Sequence, residues 1–264
     1  MCLILFRYDP DGEHPLTVMA NRDEFHGRKT RQVGFWDDAP HILAGRDLEK
    51  GGTWMGVTRR GRFAALTNYR SLADMHLGWE SRGELTRQFL EEEVPAGEYA
   101  ERVLRSGDRY TGFNLLVYDG QDLIYVSNRS GQPPVRVGPG FHGLSNALLD
   151  TPWPKVTRGV QAFQASVRDG NAAVDWIGIM SDTEAADDDQ LPDTGIGLEK
   201  ERRLSSRFID SPGYGTRCTS FVQMDRNGAI SFVERTLVPE GLDPDTVRFS
   251  ILPDETGGWN SEDH

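Results

Sequence analysis

The chain opens Met1-Cys2-Leu3-Ile4-Leu5-Phe6-Arg7-Tyr8, turns at Asp9-Pro10-Asp11-Gly12, and returns through Leu16-Thr17-Val18-Met19-Ala20 into Asn21-Arg22-Asp23-Glu24. Two apolar runs around Asp, Pro and Gly turn residues read as a β-hairpin. In an antiparallel pair the start of the first strand lies beside the end of the second. Cys2 and residues 21–24 are therefore expected to be neighbours. Aminopeptidases clip Met1 when a small residue follows, which would leave Cys2 with a thiol and a free α-amine. An α-amine titrates at about 7.7–8.0 and can act as a base near neutrality. A thiol beside such a base is an activated nucleophile. The other reading of Cys2 is a small apolar residue opening a strand, since cysteine is among the most buried residue types.

The polar residues beside Cys2 admit several roles. A carboxylate there would hold the α-ammonium or orient the amine, and an arginine would lower the thiol pKa or bind an anionic group. If the second strand continues through them, Arg22 faces opposite to Asn21 and Asp23. Arg22 and Glu24 read equally as a salt bridge that fixes the loop.

Further strand pairs lie outward from the hairpin. Gly51-Gly52 precedes a pair spanning 53–58 and 62–67 around Arg59-Arg60-Gly61. Another runs from Phe113 to Tyr118 and from Leu123 to Val126 around Asp119-Gly120, a strong hairpin signal. The last runs from Cys218 to Met224 and from Ala229 to Glu234. Residues 81–105 read as two helices broken at Pro95 and Gly97, and 154–180 as one helix with Pro154 in its first turn. Residues 182–195 read as an acidic, solvated loop, and the chain after Pro239 as a polar tail, poorly ordered at its end. Strands in hairpins at both ends with helices between them indicate antiparallel sheets covered by helices in one domain over 1–264, not a parallel sheet.

Composition narrows the function. The 264 residues carry a net charge of −12, which opposes non-specific nucleic-acid binding and docking on anionic membrane. No apolar run approaches the roughly 18 residues of a membrane span, and no basic region precedes the short N-terminal apolar stretch, so neither a span nor a secretory signal is expected. Two cysteines, Cys2 and Cys218, make neither a disulfide framework nor a zinc cluster, and a reducing cytoplasm is the expected location. The six histidines (His14, His26, His41, His76, His142 and His264) show no metal-ligand spacing. Gly51-Gly52 and Gly195-Ile196-Gly197 fit no phosphate-cradling pattern, and Ser145 lacks a nucleophile elbow's flanking glycines.

Asn68 and Asn146 each close a strand, and an asparagine amide can donate to a developing oxyanion. Asn is also a common strand-end residue. Arg217 begins a strand, or is simply a surface arginine. Trp54, Tyr69, Trp79 and Trp153 can supply apolar walls to a ligand, although aromatic residues are more often core.

Met1-Cys2-Leu3-Ile4, Asn21-Arg22-Asp23-Glu24, Gly51-Gly52-Thr53-Trp54-Met55-Gly56, Thr67-Asn68-Tyr69-Arg70, Gly143-Leu144-Ser145-Asn146 with Pro152-Trp153-Pro154-Lys155, and Tyr214-Gly215-Thr216-Arg217 occur in this order. Together they resemble the NRDE family, also called the transport-and-Golgi-organisation protein 2 family, from residue 1 to about 235. The resemblance implies a four-layer αββα, N-terminal nucleophile hydrolase-like fold of class α+β. In enzymes of that fold an N-terminal cysteine attacks an amide or thioester carbonyl and its own amine shuttles the proton. Carried over, Cys2 resembles the nucleophile, Asp23 the aspartate orienting the amine, Asn68 and Asn146 the asparagines around the oxyanion, and Arg217 a late arginine beside the nucleophile. Ala20 stands where those enzymes carry an arginine. The family is also linked to haem movement and to lipid or acyl-CoA homeostasis.

Two functions of different class follow. One is a cysteine hydrolase or acyltransferase, requiring no cofactor, with Cys2, Asp23, Asn68, Asn146 and Arg217 as its machinery and Asn21, Arg22, Glu24, Trp54 and Tyr69 contacting a small-molecule substrate. The other is a protein that holds haem or an acylated ligand in the same cleft without turnover.

Overall fold

The structure is a computed structural model that describes residues 2–72, 79–168, 175–237 and 245–253, with 259–263 as backbone. Met1, His76, His264 and the start of the tail at 238–244 lie outside the described residues.

The opening hairpin forms as its sequence dictates. Strand β1 (Cys2–Tyr8) pairs antiparallel with β2 (Leu16–Phe25), with Cys2 opposite Arg22. Residues 21–24 therefore lie inside the second strand, and Arg22 shares the face of Cys2 while Asn21 and Asp23 point away. Next come β3 (Thr30–Trp36), β4 (Ala39–Asp47), β5 (Met55–Thr58) and β6 (Phe63–Asn68), then helices α1 (Gly83–Glu91) and α2 (Ala96–Arg105). Strands β7 (Phe113–Tyr118), β8 (Leu123–Ser127), β9 (Val135–Arg136) and β10 (Gly140–Leu144) follow. After helices α3 (Pro154–Arg168), α4 (Trp176–Met180) and α5 (Leu198–Arg203), the chain ends in β11 (Asp210–Ser211), β12 (Tyr214–Met224), β13 (Ile230–Thr236), β14 (Asp245–Pro253) and β15 (Trp259–Asp263).

The strands form two antiparallel sheets. The first runs β10-β1-β2-β12-β13-β14-β15, with β11 paired to β12, and the second runs β3 to β9 in chain order. Alternation sorts the apolar residues into three layers. Ile4, Phe6, Val18 and Val222 of the first sheet meet Leu43, Val57, Phe63 and Leu116 of the second in the central core. Leu3, Leu5 and Met19 turn outward onto Val156 and Phe163 of α3 and Ile179 of α4. On the far side Phe89 of α1 and Tyr99 of α2 cover Ala64, Leu66 and Leu115. The result is αββα layering.

Several sequence expectations need correction. The polar tail contributes a strand not expected from the sequence: β14 pairs with β13 from Ile230 opposite Ile251 to Thr236 opposite Asp245, and Ile251 is fully buried. An outer strand with few inward residues reads as polar from composition alone. Of the helix expected over 154–180, α3 covers the part up to Arg168, 169–174 lie outside the described residues, and α4 begins behind Asp175, whose carboxylate accepts from the Gly178 N–H at 2.9 Å. Gly97 lies inside α2 and does not break it; Pro95 precedes that helix. In the acidic loop Asp188 pairs with Arg202 at 2.7 Å. Among the described residues no group of His, Cys, Asp or Glu is arranged to hold a metal.

Gly52 shows how tightly α1 docks. A Cβ there would lie 2.6 Å from the carbonyl carbon and oxygen of Gly83, the first residue of α1. Backbone cannot yield as a side-chain tip can. Gly52→Ala is expected to cost about 1–3 kcal/mol, the usual penalty of overpacking, read as a lower urea midpoint at unchanged m-value.

Candidate active site

At one end of the sandwich, register places a row of side chains across four strands on the inner face of the first sheet. Cys2 stands opposite Arg22, Arg22 opposite Cys218, and Cys218 opposite Thr236. All four line a cleft of about 360 Å³ whose far wall includes Leu66 and Asn68 of β6 and Arg82 before α1. Strands lie ~4.8 Å apart, so the two cysteine Cα atoms, two strands apart, are separated by roughly 9.6 Å. That exceeds the ~7 Å limit for a disulfide, and both thiols are free.

Cys2 is 7% exposed. Burial pushes its thiol pKa up; the charge of the chain's amino terminus opposes this, Asp23 adds to it, and Arg22 and the Asp23 N–H, which donates to Sγ, oppose it. The net is a protonated thiol at neutral pH, so reactivity requires a local base. Arg22, which the alternation of β2 turns toward Cys2, lies 3.7 Å from Glu24. The salt-bridge reading of that pair and the neighbourhood of Cys2 thus coexist.

Asp23 sits one residue beyond Arg22, on the side of the Cys2 backbone nitrogen, because β2 runs opposite to β1. It is 1% exposed, and its Oδ1 accepts from Thr216 Oγ1 at 2.8 Å. Burial raises its pKa, chiefly opposed by Lys155 and then by the amino terminus. Lys155 lies in the first turn of α3, buried, with Nζ donating to the Leu204 carbonyl at 3.0 Å. Burial drives its own pKa down to about 8, with Arg70 pushing the same way and Asp23 resisting. Lys155→Met removes the largest cationic influence on Asp23. The Asp23 titration is then expected to move to higher pH, as followed by carboxyl-carbon NMR. Since folding raises the Asp23 pKa, the folded chain binds this proton more tightly than the unfolded chain. The associated stability is present below the ordinary aspartate value and lost as pH rises through the folded value; in Lys155→Met that loss extends to higher pH.

The asparagines differ from each other. Asn146 is fully buried; its Nδ2 donates to the Asn68 carbonyl at 2.9 Å, and its Oδ1 accepts from Ser145 Oγ at 3.3 Å and Arg70 at 3.4 Å. Its oxygen and one of its two N–H groups are thus engaged, which ties it to Asn68, and it is not among the residues lining the cleft. Asn68 is half-buried, lines the cleft, and its side-chain amide makes no hydrogen bond among the described residues. Ser145 Oγ also donates to the Cys2 carbonyl at 3.3 Å, and Thr67 Oγ1 donates to the Ser145 carbonyl. These bonds tie the two sheets together beside the nucleophile candidate.

Arg217 is not beside Cys2 in the row. The β2–β12 register shifts between Thr216 and Cys218, leaving Arg217 as the extra residue of a bulge. Its guanidinium donates to the carbonyls of Phe25 at 2.9 Å and Arg28 at 3.2 Å while still lining the cleft. Asn21, expected to touch substrate, is fully buried on the opposite face, where its Nδ2 donates to the carbonyls of Met180 and Arg207 at 2.8 Å each. Glu24, Trp54 and Trp79 line the cleft, whereas Trp153 lies beneath Arg70, 4.8 Å from its guanidinium carbon.

Four further groups at the site have no role that spacing alone assigns. Arg70 and Glu201 form a buried ion pair at 2.6 Å, their side chains 5% and 3% exposed. Glu234 lines the cleft with its carboxylate accepting from the Val33 N–H at 2.9 Å, and burial raises its pKa. Arg82 donates to the Gly112 carbonyl at 3.0 Å. A second cavity of about 710 Å³, walled by Tyr69 and Tyr214 among others, adjoins the cleft; Asn68, Arg82 and Thr111 line both.

Comparison with known proteins agrees with this layout. The profile described as Transport and Golgi organisation 2 matches residues 1–239. The human Transport and Golgi organization protein 2 homolog is 37% identical, covering 92% of this chain and 95% of its own. The Drosophila melanogaster Transport and Golgi organization protein 2 is 28% identical over 92% of this chain and 94% of its own. Among solved structures, a Caenorhabditis elegans N-acylethanolamine-hydrolyzing acid amidase ortholog superposes with a TM-score of 0.50 at 9% identity, covering 85% of this chain and 93% of that one. The fold is that of the N-terminal nucleophile hydrolases.

Proposed function

The chain belongs to the Transport and Golgi organisation 2 family, and from that premise and the cleft we propose that it is an N-terminal-cysteine hydrolase or acyltransferase acting on a linear amide or thioester. One observation carries this reading. Cys2 begins an inner strand on the cleft floor, with Asp23 on the side of its nitrogen and the uncommitted Asn68 amide on the opposite wall.

The chemistry begins with loss of Met1. The freed Cys2 α-amine takes the Sγ proton while Sγ bonds to the substrate carbonyl carbon, and the carbonyl π pair moves to oxygen. Asn68 Nδ2–H donates to that oxyanion. Collapse restores the carbonyl and breaks the bond to the amine or thiol leaving group, which takes the proton back from the α-ammonium. Water, or an acceptor amine or alcohol, then gives a proton to the α-amine as it attacks the thioester carbonyl; collapse breaks the C–Sγ bond, releases the acyl product and returns the proton to Sγ. Asp23 holds the α-ammonium, and Lys155 favours the ionised form of Asp23.

Ligand binding without turnover is the second reading, favoured by the raised pKa of the Cys2 thiol. Haem fits poorly within it. No histidine lines either cavity among the described residues, so axial ligation would fall to Cys2 or Cys218 in the cleft or to Tyr69 or Tyr214 in the second cavity; burial raises the Tyr214 pKa, away from the tyrosinate that iron binds. Burial raises both thiols, Cys218 well above its ordinary value, away from the thiolate that iron prefers.

Intact mass before and after a cysteine-selective acylating probe tests the hydrolase reading. Loss of Met1 and a single adduct on Cys2 is expected. Retained Met1 with an unreactive Cys2 would overturn it.

A further inference from the structure

We propose that Asp23 keeps the acyl group on sulfur: it restrains the Cys2 amine and the Cys2 thiol separately, and so suppresses an S-to-N acyl transfer that would leave the chain as inert N-acyl-Cys2. This rests on the hydrolase reading above and gives Asp23 a task distinct from aiding proton transfer.

The need comes from the chemistry of an amino-terminal cysteine. In the acyl-enzyme a neutral amine and a thioester share one residue. The nitrogen lone pair can attack the thioester carbonyl carbon through a five-membered ring. The C–Sγ bond then breaks and Sγ takes the proton that nitrogen gives up, leaving an amide and a free thiol. No co-reactant is consumed. Well-oriented intramolecular attack reaches effective molarities of roughly 10⁵–10⁸ M, far above the concentration of water. An unrestrained amine would therefore outcompete hydrolysis. The amide is the more stable product, and its formation removes the base on which every later turnover depends.

Asp23 holds the two atoms through different groups. Its backbone N–H donates to Cys2 Sγ. Its carboxylate points to the other face of the first sheet, because Arg22 shares the face of Cys2 and Asp23 does not. There it lies on the side of the Cys2 nitrogen, where the charge of the amino terminus acts on it. Asp23 is itself fixed. Thr216 Oγ1 donates to its Oδ1 at 2.8 Å, the Tyr214 hydroxyl donates to its backbone carbonyl at 3.2 Å, and the residue is 1% exposed. Ring closure requires nitrogen and the acyl carbon on sulfur to move from contact distance to a covalent bond, so one of these two holds must release. Proton transfer to the same nitrogen requires no such movement, since a proton crosses between atoms kept at hydrogen-bond distance. A carboxylate behind the amine thus spares its work as a base and blocks its work as a nucleophile.

Phenyl thioacetate tests this on the full chain lacking Met1, with thiophenol release counting acylation events. The folded protein is then treated with neutral hydroxylamine, which removes acetyl from sulfur and leaves it on nitrogen, and is digested after Arg7. The peptide of residues 2–7 contains no lysine, so acetyl surviving on it sits on the Cys2 amine. Asp23→Asn is expected to carry at least about tenfold more N-acetyl-Cys2 per thiophenol released than the wild type. Asp23→Asn combined with Cys2→Ala has the amine without the sulfur and should carry no acetyl there. Thr216→Val keeps the carboxylate but loses the hydroxyl that fixes it; it should exceed the wild type, and it decides the matter if Asp23→Asn does not fold or is not acylated. N-acetyl-Cys2 no higher in the variants than in the wild type, or acetylation of the double variant to the level of Asp23→Asn, would overturn the proposal. No thiophenol release from the wild type above that of Cys2→Ala would instead overturn the hydrolase reading on which it rests.

Discussion

Cys2→Ala is expected to eliminate the acyl adduct and to lower turnover by at least ~10³-fold, the scale of loss when a covalent nucleophile is removed. Cys218→Ala should leave the adduct in place. Both cysteines are 7% exposed and line the same cleft, so position alone does not separate them. Their chemistry does. Only Cys2 gains an α-amine when Met1 is removed, and a buried thiol needs such a base to react. The Cys218 thiol is pushed well above its ordinary range by burial, with Glu234 adding to the effect. An adduct on Cys218 in place of Cys2, measured by peptide mapping, would reverse this assignment.

The largest stability effect is expected at the Arg70–Glu201 pair. Arg70→Met leaves the Glu201 carboxylate buried without its counter-ion, and breaking such a pair from one side costs about 3–5 kcal/mol. Replacing both, as in Arg70→Met with Glu201→Gln, should recover much of that loss, because no uncompensated charge remains. Urea unfolding of the two variants checks the contrast. The single variant should also impair function beyond its effect on stability. Arg70 donates its backbone N–H to the Asn146 carbonyl at 2.7 Å and its guanidinium to Asn146 Oδ1 at 3.4 Å, and Asn146 in turn holds Asn68.

What the sequence made legible was local. Turn residues and two apolar runs pointed to the opening hairpin, and strand alternation set Arg22 opposite to Asn21 and Asp23; the register that puts Arg22 beside Cys2 came from the structure. Strands β3 and β4 were not legible, because their pairing shifts register between Arg31 and Gly34 and again at Trp36, which breaks simple alternation. The bulge that removes Arg217 from the row is likewise silent in the sequence. Asn146 was legible as a polar strand end but not as the group bonded to the Asn68 carbonyl. Arg70 and Lys155 lay within recognisable motifs, yet their partners are distant: Glu201 follows Arg70 by 131 positions. Buried charge pairing depends on which loops tertiary packing brings together, and no spacing rule encodes it.

The position of β1 has a practical consequence for handling the protein. The first strand is an inner one, held by β10 on one side and β2 on the other, and its first residue lies on the cleft floor. Any residues added ahead of Cys2 begin inside the cleft, and they also convert the Cys2 amine into an amide. If Cys2 is the nucleophile proposed above, an affinity tag on that end would both fill the cleft and remove the catalytic amine, and an assay of such a preparation would under-report the activity. Purification handles belong at the other end, beyond β15 at the outer edge of the first sheet.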